Sequence, residues 1–86
     1  GGIFGNTKRV LPKDCWIEVN EGAWEWPEIY KLIQDKGKID KEEMYRAFNL
    51  GIGMILILAP EDEANALESL RECGENPILL GQVVAN

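Results

Sequence analysis

The run Met54-Ile55-Leu56-Ile57-Leu58 carries an apolar side chain at every position. A half-buried strand alternates, so a run without alternation predicts a strand covered on both faces or central in a sheet. It falls well short of the roughly 18 apolar residues that a membrane span needs. In a chain of 86 residues such a strand is a heavy demand. A domain of this size buries only roughly 60–65% of the surface its unfolded form exposes.

The remaining pattern supplies two more strands and three helices. Cys15 to Val19 alternates, with Cys15, Ile17 and Val19 on one face, and Ile78 to Val84 closes the chain as a last strand. Trp26-Pro27-Glu28 opens the first helix, because proline suits a position whose N–H would be unpaired anyway. Trp26, Ile29, Tyr30 and Ile33 form its apolar stripe, and Gly37 is placed to end it. Asp40 and Glu43 have the spacing of a capping box, and Ile39 and Met44 that of a hydrophobic staple. Met44, Ala47 and Phe48 then form the buried face of a short second helix. Pro60 starts a third, with Glu61, Asp62 and Glu63 where the helix dipole favours negative charge. Ala64, Leu67 and Leu70 face inward, and Gly74 closes it. The predicted fold is a layered α/β (α+β) unit of order β-α-α-β-α-β, with a three-strand partial sheet. Three strands leave wide edges, which predicts further polypeptide to cover them.

Charge and residue usage exclude several functions. Nine basic against fifteen acidic residues leave a net charge of −6, which argues against a dedicated nucleic-acid or anionic-membrane binder. With two cysteines and no histidine, the chain has no zinc set and no Ser-His-Asp or Cys-His catalysis of its own. Thr7 and Ser69 are its only aliphatic hydroxyls. So few cysteines predict reduced thiols in a cytosolic protein. The chain begins at Gly1 without an initiator methionine or signal-peptide pattern, which predicts a preceding segment.

Two segments are candidates for binding. Gly1-Gly2-Ile3-Phe4-Gly5-Asn6-Thr7-Lys8-Arg9 is glycine-rich and then basic, and no acidic residue precedes Asp14. Its backbone N–H groups could converge on an anion, Arg9 could grip a phosphate, and Asn6 could donate to a phosphate, ribose or carbonyl. The plainer reading is a flexible terminus. Phe48-Asn49-Leu50-Gly51-Ile52-Gly53-Met54 leads into the apolar run, where glycines permit close approach of another backbone or a ligand. Its plainer reading is a helix-to-strand turn with Asn49 as cap and Gly51 at positive φ. Trp16, Trp24 and Trp26 could stack on a base, though packing is the commoner use of such residues. Glu42-Glu43 and Glu61-Asp62-Glu63 are explained by helix starts better than by a metal.

Taken in order, these segments resemble a known family. Gly1-Gly2-x-x-x-Asn6-x-x-Arg9-Val10-Leu11-Pro12 resembles the second half of a His-Ile-Thr-Gly-Gly-Gly motif and the residues after it. Trp24-x-Trp26-Pro27-x-Ile29-Tyr30-x-Leu32-Ile33-Gln34-x-x-Gly37 resembles a Trp-x-x-Pro-x-Phe-x-x-Leu-Gln-x-x-Gly helix, with Tyr30 where phenylalanine is common. Glu43-Met44-Tyr45-Arg46-x-Phe48-Asn49-x-Gly51-x-Gly53-Met54 matches Glu-Met-x-Arg-x-Phe-Asn-x-Gly-x-Gly-Met, and Gly74-Glu75-Asn76 fits the C-terminus. These are motifs of the phosphoribosylformylglycinamidine cyclo-ligase (aminoimidazole ribonucleotide synthetase) family of purine biosynthesis. The resemblance extends over essentially all of residues 1–86, as the latter part of that family's C-terminal domain.

The resemblance implies a cytoplasmic, homodimeric enzyme that uses ATP and Mg²⁺ to activate a formyl oxygen so that an internal nitrogen closes the imidazole ring. Most ATP and metal contacts would come from an N-terminal domain outside this chain. Gly1, Gly2, Asn6 and Arg9 would be its substrate- and phosphate-binding contribution, with Asn49, Gly51 and Gly53 lining the cleft. No metal ligand is assigned, and no catalytic residue is identified. Alone, the piece is expected to be inactive, to bind no cofactor, and to self-associate or pair with a complementary fragment. A non-catalytic small-molecule-binding or assembly module of the same fold is the alternative, and a purely structural half-domain is another.

Overall fold

The computed structural model describes residues 2–85. Four α-helices and two strands follow in the order α1 (Gly2–Lys8), β1 (Cys15–Val19), α2 (Glu28–Gly37), α3 (Lys41–Ala47), α4 (Glu63–Glu72) and β2 (Gly81–Ala85). Short 3₁₀ turns stand at Glu21–Ala23 and Pro60–Asp62. The fold is therefore α+β, with a two-stranded antiparallel sheet rather than a three-strand layer. Cys15 lies opposite Ala85, Ile17 opposite Val83 and Val19 opposite Gly81.

Two corrections to the sequence reading concern strands. Met54 to Leu58 is an extended, unpaired segment, and Met54 is 82% exposed. Strand structure needs a hydrogen-bonding neighbour, and none of the described residues provides one here. The last strand begins at Gly81 instead of Ile78 because β1 offers five residues to pair with. A single further bond, Asn20 N–H to the Leu80 carbonyl at 2.7 Å, extends the ladder.

A third correction is an added helix. The glycine-rich opening is α1, buried through Gly2, Ile3 and Thr7. Gly2 has φ +76°, and a Cβ there would run into the carbonyl oxygens of Tyr45 and Arg46. Only glycine lets α1 approach the backbone of α3 so closely.

Of the helix-start signals, Asp40 is a side-chain cap, while the start expected at Pro60 is a 3₁₀ turn and α4 begins at Glu63. The Asp40 carboxylate accepts from Glu43 N–H at 2.8 Å and caps α3. At the end of α2 the left-handed residue is Lys38 (φ 50°, ψ 47°), while Gly37 stays helical. The stripes also shift: Ile29 faces solvent, and Tyr45 is buried where Ala47 was expected.

Ile3, Met44, Tyr45 and Leu50 form the core, with Met44 and Leu50 fully buried. Trp24, Trp26, Tyr30, Ile33 and Phe48 pack around them. The Tyr45 ring meets Phe4 at 5.9 Å and stands edge-on to Trp24 and Trp26 at 6.4 and 5.9 Å. Two of the three tryptophans are thus packing residues, and Trp16 is not.

Candidate functional site

The α3–Met54 connection is a tight turn held from several sides. Leu50 (φ 55°) and Gly51 (φ +92°) both adopt positive φ, and Ile52 N–H returns to the Asn49 carbonyl at 3.0 Å. Positive φ at both central residues is the signature of a type I′ turn. For leucine this conformation costs roughly 1–2 kcal/mol. Complete burial of Leu50 and the Trp24 indole N–H donating to its carbonyl at 3.0 Å hold it there.

This turn fixes Asn49. Its side-chain oxygen accepts from the Gly51 N–H and from the Tyr30 hydroxyl, both at 3.0 Å. A backbone N–H can only donate, so the atom facing it is the carbonyl oxygen and the amide orientation is determined. The NH₂ group keeps both hydrogens for another acceptor.

Asn6 is fixed in the opposite sense. Its NH₂ donates to the Gly2 carbonyl at 2.9 Å within α1, leaving the side-chain oxygen to accept. The fold brings the two residues to one cleft of about 310 Å³, walled by Gly2, Ile3, Asn6, Thr7 and Val10 on one side and by Asn49, Ile52, Gly53, Met54, Ile55 and Ile57 on the other. That is at the small end of the roughly 300–1,000 Å³ usual for ligand sites. Among the described residues the walls carry no charged side chain, so the cleft suits a neutral polar group such as a carboxamide or a hydroxyl.

Of the residues anticipated from sequence, Gly2, Asn6, Asn49 and Gly53 line this cleft. Gly51 does not; it is turned onto Pro27, with a Cβ position only 2.7 Å from the proline Cγ. Arg9 lies just past α1, exposed and off the cleft wall. Gly1 lies outside the described residues. Missed were Ile3, Thr7 and Val10, whose i, i+4, i+7 spacing is a helical stripe obscured by the glycines around it. Thr7 is buried, and its hydroxyl has no hydrogen-bond partner among the described residues.

Charge elsewhere is modestly arranged. The Lys31 ammonium lies 2.7 Å from Glu25, whose carboxyl it holds below the usual carboxylate range, and its own pKa rises through that hydrogen bond. Burial pushes the Tyr45 hydroxyl up. Among the described residues no three of His, Cys, Asp and Glu gather closely enough to hold a metal ion. No helix there is long and apolar enough to cross a membrane.

The family described as AIR synthase related protein, C-terminal domain, matches residues 1–86. The chain belongs to this family. The phosphoribosylformylglycinamidine cyclo-ligase of Chromobacterium violaceum is 45% identical over 83 residues, covering 96% of this chain and 24% of the relative. Enzymes of the same name from a Thermoanaerobacter species and from Thermoanaerobacter pseudethanolicus are each 44% identical over 84 residues, covering 98% of this chain and 25% of theirs. The chain thus spans about a quarter of the length of the curated relatives it matches.

Proposed function

We propose that this chain forms the C-terminal quarter of a phosphoribosylformylglycinamidine cyclo-ligase, and that the cleft between α1 and residues 49–57 takes the part of the substrate that reacts. The supporting observation is the convergence of two distant segments on one uncharged cleft, one wall with a spare acceptor at Asn6 and the other with a spare donor at Asn49. Formylglycinamidine ribonucleotide carries an amide beside an amidine, which pairs with such walls. Ring closure requires the formyl oxygen to become a phosphate leaving group while the attacking nitrogen is held near it, so positioning governs the rate. Fixed amides on rigid elements supply that positioning without reorganisation.

In this reading Arg9 and the glycines Gly1 and Gly2 attend the substrate phosphate. Arg9 takes part in no ion pair among the described residues. ATP and Mg²⁺ serve the complete enzyme. Most contacts to both come from the other three quarters of the enzyme. The complete enzyme is a cytoplasmic homodimer. The 86-residue chain alone is inactive and self-associates through the uncovered Met54–Leu58 run.

The test is a chimera in which this chain replaces the matching quarter of the Chromobacterium violaceum enzyme. ATP-dependent formation of aminoimidazole ribonucleotide supports the assignment. A soluble, folded, dimeric chimera that hydrolyses no ATP and closes no ring would overturn it in favour of a non-catalytic module of this fold.

A further inference from the structure

The cationic side chains near the start of the chain, Lys8, Arg9 and Lys13, stand off the walls of the cleft described above. Lys8 and Lys13 take part in no ion pair among the described residues, whereas Lys31, Lys41 and Arg46 all do. Lys8 is the last residue of α1, and Lys13 lies on the turn entering β1. Both border a second hollow, between α1 and β1, of about 530 Å³. Its remaining walls are apolar and aromatic, among them Phe4, Leu11, Trp16 and Ile17, and no acidic side chain among the described residues lines it. Trp16 is 58% exposed and Phe4 42%, which leaves aromatic surface open beside two unpaired ammonium groups in a chain of net charge −6.

We propose that this hollow is a binding site for a small planar aromatic anion, its ring against Trp16 and Phe4 and its acidic group held by Lys8 and Lys13. The volume lies inside the range of roughly 300–1,000 Å³ for small-molecule sites, which are mostly apolar with a few placed polar groups. Offset stacking on an exposed indole suits a flat ring. Two ammonium donors make charge-assisted bonds to a carboxylate, sulfonate or phosphate. An aliphatic acid would forgo the stacking and a neutral aromatic the charge, so the site selects for both on one molecule. It is separate from the uncharged cleft and independent of the cyclo-ligase reading.

A heteronuclear NMR titration of the full-length chimera, labelled with ¹⁵N, with naphthalene-1-sulfonate tests it, with uncharged naphthalene-1-methanol as the control. The Trp16 indole N–H and the amides of Phe4, Lys8 and Lys13 are expected to shift along one saturating curve. The surface double variant Lys8→Gln with Lys13→Gln, its spectrum otherwise that of the parent, is expected to weaken sulfonate binding at least roughly tenfold. Binding of the neutral alcohol should be unchanged in that variant, and Trp16→Ala should weaken both. Shifts centred on Met54–Leu58, shifts that never saturate, or a double variant that binds the sulfonate as tightly as the parent would overturn the proposal.

Discussion

Gly51→Ala attacks the turn that orients Asn49 without touching the cleft wall. At φ +92° an L-residue is strained by roughly 1–2 kcal/mol. The added methyl would also sit 2.7 Å from Pro27 Cγ and 2.8 Å from Cδ. The proline ring is rigid and sits at the start of α2, so it cannot swing aside as a long flexible side chain would. Overpacking of this kind costs roughly 1–3 kcal/mol. Together about 2–5 kcal/mol is lost, from a total of roughly 4–13 kcal/mol at 0.05–0.15 kcal/mol per residue. With an m-value around 1.5 kcal/mol/M, the urea midpoint followed by tryptophan fluorescence should fall by about 1–3 M. The Asn49 side-chain amide resonances should move as the Gly51 N–H contact loosens. A midpoint shifted by less than about 0.5 kcal/mol in equivalent stability, the size of an ordinary surface substitution, would refute the strained turn.

Asp40→Ala should cost about 0.5–2 kcal/mol in urea denaturation, because it removes the cap that accepts from Glu43 N–H; an unchanged midpoint would mean that α3 starts elsewhere. Thr7→Val should leave stability unchanged or raise it, since an unpaired buried hydroxyl costs roughly 1–3 kcal/mol; a clear loss in thermal melting would reveal a partner for that hydroxyl. Burial raises the Tyr45 pKa above its ordinary 10.0, so the folded state disfavours the phenolate. Its contribution to stability is therefore complete below pH 10.0 and lost as pH rises through the folded value. Denaturation curves across that range should show a steeper alkaline loss in the parent than in Tyr45→Phe, and equal slopes would exclude the effect.

Local signals were legible where a few neighbouring residues decide the outcome. The Asp40 cap and the proline-led start of α2 needed no distant partner, and each stands where the residues put it; β1 stands at its expected residues because β2 pairs with it. Met54 to Leu58 reads as a strand by composition, but a strand exists only through its neighbour's backbone, and composition says nothing about that. Glycines concealed α1. Gly2 and Gly5 weaken helix propensity, yet Gly2 is required because α1 presses on the carbonyls of α3. At the end of α2, Lys38 takes the left-handed position beside Gly37, a difference of one residue that the sequence does not settle. Asn6 and Asn49 were each picked out on local grounds, forty-three positions apart. Their meeting depends on α1 packing against α3, a tertiary contact that neither motif encodes alone.

Asn49→Asp separates the binding role of Asn49 from its structural one. The substitution keeps an oxygen to accept from Tyr30 and Gly51 and removes the NH₂ that faces the proposed substrate. It is made in the chimeric cyclo-ligase and followed by steady-state kinetics, with circular dichroism to verify the fold. KM for formylglycinamidine ribonucleotide is expected to rise roughly ten- to a hundredfold through loss of the donor, with KM for ATP little changed. An unaltered KM for the ribonucleotide in a normally folded variant would contradict the placement of the substrate in the cleft between α1 and residues 49–57.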